Sequence, residues 1–149
     1  MANRSLLTAT LAQQQLGLAI IRIVTGIVFA AHGGQKLFVY GFAGVTGAFT
    51  QMGVPMPGIM GPFVALLEFF GGLALIIGLL SRLAALGLAF DMIGAILLVH
   101  LKGGFFLPAG YEFALTLLAA SLAIAIGGPG ALSADAAIAG RRGDTMTTV

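Results

Sequence analysis

Four apolar runs, each near the length needed to cross a bilayer, dominate this 149-residue sequence. A hydrocarbon core about 30 Å thick takes about 20 apolar residues per helix. The runs lie at about residues 16–38, 62–80, 83–101 and 110–126, the last slightly short. Charged residues make up only 8% of the chain, against roughly a quarter in a soluble domain, too few to solvate a water-facing surface. The sequence therefore predicts an all-α integral membrane protein, a four-transmembrane-helix bundle forming one domain over residues 16–138.

The connections refine that bundle. Only Ser81 and Arg82 separate the second and third runs, which makes them an antiparallel hairpin. Between the first and second, Phe42, Val45, Phe49 and Met52 fall on one helical stripe. That spacing predicts a short interfacial helix rather than a loop, ended by Gly53–Gly58, GVPMPG. Residues 1–15 read as a cytoplasmic lead-in, because three glutamines interrupt the short apolar patch after Arg4 that would suit a signal peptide. Gly127, Gly128 and Pro129 stop the fourth run. Ser133 can cap a short helix with Asp135 in its first turn, and residues 139–149 read as a disordered tail. Arg4, Arg82, Arg141 and Arg142 share one side of the membrane, with Lys36 and Lys102 on the other. Both termini are thus expected in the cytoplasm.

Composition excludes several chemistries. With no cysteine, the chain forms no disulfide, carries no thiolate nucleophile and ligates no iron–sulfur centre. Seven basic against five acidic side chains, widely scattered, form no nucleic-acid footprint. Phosphate-binding glycine loops and zinc-protease motifs are missing as well.

The informative residues are the charges inside the apolar runs, each costing about 2.5–3.5 kcal/mol at a helix centre. Arg22 and Asp91 lie at similar depth from the cytoplasmic ends of helices one and three, roughly 9 and 12 Å by helical rise. They are expected to form a structural ion pair, with snorkelling of Arg22 as its alternative. A second layer lies toward the outer surface, with His32 and Glu68 both roughly 9 Å below it. Lys36, His100 and Glu112 sit nearer that surface, so all five could line one pocket as ligand-binding or proton-relay groups. Asp91 and His100 are nine residues apart, half a turn out of phase, so a straight helix sends them to different neighbours. His32, Glu68 and His100 are the candidate metal ligands. Hydrogen-bonding a quinone and purely structural pairing between helices stay open beside that use.

The sequence resembles the DoxX family of small four-helix bacterial membrane proteins. The matching pieces are R-x9-H-G-G-Q-K from Arg22 to Lys36, G-V-P-x-P at Gly53–Pro57 and E-x2-G-G at Glu68–Gly72. G-L-L-S-R at Gly78–Arg82, His100, Tyr111–Glu112 and G-P-G-A-L-S at Gly128–Ser133 continue the series. The resemblance implies a multi-pass protein of the bacterial inner membrane with a part in membrane redox processes, since one branch is similar to a quinone-linked subunit of thiosulfate oxidation. Another branch is associated with superoxide dismutase and a sulfurtransferase. The expected function is a redox-associated subunit that takes a quinone or similar lipid-soluble molecule near the outer face. Any enzymatic role would be that of an oxidoreductase subunit acting with partners. Its expected partners are membrane lipids and either other proteins or further copies of the chain. A non-catalytic membrane anchor is the alternative. An oligomeric transporter is a third reading, weakened by the lack of a clear inverted repeat.

Overall fold

The computed structural model describes residues 8–146, and every regular element among them is helical. Helix α1, Leu11–Gly34, opens on a capping box. The Thr10 N–H donates to Gln13 Oε1 at 2.8 Å and the Gln13 N–H to Thr10 Oγ1 at 3.3 Å. The glutamines expected in a lead-in therefore belong to the helix; residues 1–7, with Arg4, lie outside the described residues. A π-helical turn, Gln35–Tyr40, continues α1 until Gly41, at φ 64°, bends the chain into α2, Gly41–Gln51. Helix α3 spans Pro57–Ile77 and α4 spans Ser81–Gly94, the latter extended by a second π-helical turn, Ala95–His100. Helix α5, Glu112–Gly127, is the short span, and α6, Ala134–Met146, follows it. Helix α6 thus occupies most of the segment expected to be a disordered tail.

Helices α1, α3, α4 and α5 close into a ring, each packed on two neighbours, with α2 laid against α3. Phe29, Leu75, Leu88, Met92, Leu117 and Ile124 fill its centre. The tightest crossing is α1 on α3. A Cβ on Gly33 would stand 2.2 Å from the Phe69 nitrogen, and one on Gly72 2.4 Å from that of Ala30. In lipid, where apolar side chains gain little by leaving the solvent, such close backbone contact drives association. The outer faces carry exposed Ile20, Val24 and Ile27 on α1 and Phe63, Phe70 and Ile77 on α3, as a lipid-facing surface requires. On α2 the expected stripe divides: Val45 is buried and Phe49 half-buried, whereas Phe42 and Met52 are exposed.

At the end of the bundle near α6, Arg22 is fully buried. Its Nε donates to Pro129 O at 2.7 Å and its Nη1 to Leu75 O and Ile76 O at 2.5 and 3.0 Å. Its Nη2 donates to Ala131 O and Leu132 O at 3.2 and 2.8 Å. All the guanidinium N–H groups are therefore used. Arg22 closes the last carbonyls of α3 and those of the segment after α5, where no helical donor can reach them. Arg22 does not form the expected pair with Asp91. Its donors are fully engaged by carbonyls, and Asp135 is the carboxylate whose charge acts on it. Gly78, at φ 76°, lets the chain pass over this group, for a Cβ there would sit 2.7 Å from Arg22 Nη1.

Asp135, outside the spanning helices, caps α4 from a distance. The N–H groups of Leu80 and Ser81 donate to its two carboxylate oxygens, both at 2.8 Å. Ser133 caps α6 as expected, accepting from the Ala136 N–H at 3.1 Å. Partial burial works against the Asp135 carboxylate, but the hydrogen bonds from Ser81 and Leu80 and the Arg22 charge outweigh it. The carboxyl is held below its ordinary range. A group so depressed contributes stability that is present above its unfolded pKa of about 4 and lost as pH falls through the folded value.

Two outcomes follow for unfolding measured in detergent. Arg22→Met strands the five carbonyls and should cost about 3 kcal/mol or more, with little recovery in Arg22→Lys, whose donors sit on a single nitrogen. Asp135→Asn should cost about 1 kcal/mol near neutral pH, and the variant should lose the fall in stability that the wild type shows below about pH 4.

Candidate functional site

The opposite end of the bundle encloses a cavity of about 290 Å³. Helix periodicity places its walls. On α1 and the π-helical turn that continues it, Phe29, His32 and Lys36 recur on one face; on α3, Met60, Val64 and Glu68 do the same. Ala114 and Leu117 close the α5 side. Phe49, Met52 and Val54 roof the cavity from α2 and the turn after it, a use that the surface-helix stripe of Phe49 and Met52 did not signal.

Four of the five expected outer-layer residues, His32, Lys36, Glu68 and His100, line this cavity. Lys36 Nζ donates to Glu68 Oε2, forming an ion pair in which Glu68 is almost wholly buried. His100 Nδ1 lies 3.3 Å from Ala109 O, beyond the end of α4. His32 stands at the seam of α1 and α5, with its ring 6.0 Å from that of Phe113, and it also borders a shallow outer recess with Ala31 and Gln35. Glu112 does not face the cavity. It accepts from the Leu107 N–H at 2.8 Å and so fixes the turn that leads into α5.

Asp91 lines the cavity as well, although the sequence placed it in the other layer with Arg22. Glu68 and Lys36 are the charged groups that act on it, and its Oδ2 is buried without a hydrogen-bond partner. The second π-helical turn explains how His100 comes to share the cavity with Asp91. Hydrogen bonds from i to i+5 wind the chain less per residue than α-helical ones, so Ala95–His100 turns His100 back toward the side that Asp91 faces. A straight helix would have held the two apart. No sequence signal marks this π turn.

His32, Glu68 and His100 share the cavity but do not converge as metal ligands. Among the described residues, no three His, Cys, Asp or Glu side chains are grouped closely enough to hold an ion. What the arrangement offers is an apolar chamber with hydrogen-bonding groups contributed from the α1, α3 and α4 walls, near the small end of the range of about 300–1,000 Å³ that serves small ligands.

The DoxX family model matches residues 17–101 of the chain. The chain is 34% identical to a Bacillus subtilis protein named "putative oxidoreductase CatD", over 74% of this chain and 79% of that protein. It is 37% identical to the inner membrane protein YqjF of Escherichia coli, over 82% of this chain and 92% of that protein. It is also 36% identical to the membrane protein Rv3486 of Mycobacterium tuberculosis, over 61% of this chain and 58% of that protein. No solved structure matches it.

The Lys36–Glu68 pair can be tested by a mutant cycle. Lys36→Met leaves Glu68 buried without its counter-ion and should destabilise the protein by about 3–5 kcal/mol. Adding Glu68→Gln to Lys36→Met should restore most of that loss in the same unfolding measurement.

Proposed function

The chain belongs to the DoxX family of bacterial membrane proteins, and from that premise we propose that it is a redox-associated membrane subunit whose cavity binds a quinone or similar lipid-soluble ring. The observation that carries this reading is the cavity itself. Its apolar walls suit a ring and the start of an isoprenoid tail. Its polar lining residues, His32, Lys36, Glu68, Asp91 and His100, suit the oxygen substituents of such a ring. The name of the Bacillus subtilis relative points toward oxidoreduction. Cysteine-free, the chain ligates no iron–sulfur centre of its own, so a protein partner exchanges electrons with the bound ring.

A non-catalytic anchor accounts for Arg22 and for the Lys36–Glu68 pair, whose groups satisfy one another. It leaves the buried Oδ2 of Asp91, which no N–H of the described residues reaches, without a use. For orientation, Lys36 is committed to Glu68 inside the bundle, so the basic residues of the connections and tails fall still more heavily on the side of the termini. This favours cytoplasmic termini and a cavity in the outer half of the membrane.

Gly94 provides a direct test. It lines the cavity, and a Cβ built there meets nothing within 4 Å. Gly94→Leu should fill the chamber and, as a better helix former, leave the bundle intact. Purified wild type should bind a short-tailed benzoquinone or its hydroquinone saturably and unfold at higher temperature with it. Gly94→Leu should keep its unliganded melting temperature and lose both responses. Binding of neither ring form by the wild type, or equal binding by the filled variant, contradicts the reading.

A further inference from the structure

Two carboxyl groups meet inside the cavity. Glu68 comes from α3 and Asp91 from α4, and a side-chain hydrogen bond joins them. Carboxylate oxygens only accept, so two ionised carboxylates in this contact would set acceptor against acceptor and like charge against like. One proton between them removes both conflicts, as it does for the paired carboxyls of aspartic proteases. The charges agree. Lys36 pairs with Glu68 and balances one negative charge, not two. The bare Asp91 Oδ2 agrees as well, since an oxygen of a neutral carboxyl costs far less to bury without a donor than one of a carboxylate. His32 from α1 and His100 from the π-helical turn after α4 are the other titratable groups lining the chamber, and α2 and α5 bring only apolar side chains to it.

We propose that Glu68 and Asp91 hold one proton between them, and that this is the first proton given to a ring oxygen when the bound quinone is reduced. The transfer rests on the reading of the cavity as a quinone-class site; the shared proton does not. Two electrons from the redox partner turn the two ring carbonyls into two hydroxyls, so two protons must arrive. For the first, the O–H bond within the carboxyl pair breaks and an O–H bond forms on the ring. The second proton comes from water. The pair is left as two carboxylates against one ammonium, a charge that draws a proton back from the same water. By ordinary acidity a carboxyl O–H gives up its proton more readily than an ammonium or a neutral imidazole. Lys36 therefore keeps its charge as the counter-ion, and the carboxyl pair does the exchange.

Infrared spectroscopy of the full chain in detergent reads the proton directly, at about pH 8, where exposed carboxyls are ionised. Unliganded wild type should show a protonated-carboxyl C=O band that shifts in deuterated water. Asp91→Asn and Glu68→Gln should each lose it, because the remaining carboxyl is then matched by Lys36. Absence of the band from wild type overturns the inference. So does a band that survives in Glu68→Gln, which would make Asp91 a neutral acid on its own. With a short-tailed benzoquinone bound and reduced by a photoexcited flavin, the wild-type band should bleach in step with ring reduction and recover as water returns the proton. A band that stays constant overturns the transfer while leaving the cavity a quinone-class site. Failure of the quinone to bind overturns the transfer together with the function on which it rests, and the unliganded band then decides the shared proton alone. Should neither variant fold, the wild-type band and its bleaching decide.

Discussion

A single guanidinium organises one end of this membrane bundle. Arg22 reaches from α1 to the last carbonyls of α3 and to the segment after α5, and these receive every hydrogen it can donate. A charge at this depth is tolerable only because each N–H meets an oxygen and because Asp135 stands near enough to balance it. The same oxygens belong to helix and turn ends that have no water to satisfy them in the bilayer. The cost of burying Arg22 and the cost of leaving those carbonyls bare therefore offset each other. Gly78 keeps the turn clear of the guanidinium, and Asp135 then fixes the start of α4.

With one end closed in this way, the helices part at the other around a chamber. There the polar groups are not mutually satisfied. Lys36 and Glu68 pair with each other, and Asp91 stands beside them with its Oδ2 buried and reached by no N–H. Two layers of polar residues thus have opposite characters. In the layer near the termini Arg22 and Asp135 are fully partnered, and Ser81 Oγ is the buried polar atom left over. The layer beyond it has open valence for hydrogen bonding, and that asymmetry is the physical basis for reading it as a binding site.

Much of this was legible in the amino-acid sequence, because the bilayer imposes length and polarity rules that leave few alternatives. The four spans, the α3–α4 hairpin, the α2 helix and the Ser133 cap follow from apolar run length, spacing and turn residues. The gathering of His32, Lys36, Glu68 and His100 follows from their matched depth. Three features escaped for definable reasons. Arg22 was assigned a carboxylate because charge pairing is visible in a sequence and backbone carbonyl acceptors are not. Asp91 was assigned away from His100 because a π-helical turn alters helical phase without altering composition. Glu112 has the right depth but spends its carboxylate on the Leu107 N–H in the adjoining turn.

The relation to CatD and YqjF places the chain among bacterial membrane proteins, and the cavity supplies the chemical content that those names do not. Its location inside the ring of helices, rather than on the lipid-facing surface, is the central claim. A photoactivatable benzoquinone, cross-linked to the protein in vesicles and mapped by peptide mass spectrometry, tests that claim most directly. Labelling is expected on cavity residues such as Phe29, Met92 and Leu117, competed away by unlabelled quinone or hydroquinone. Labelling confined to lipid-facing positions such as Phe70, Ile77 and Phe90, and insensitive to competition, would contradict it.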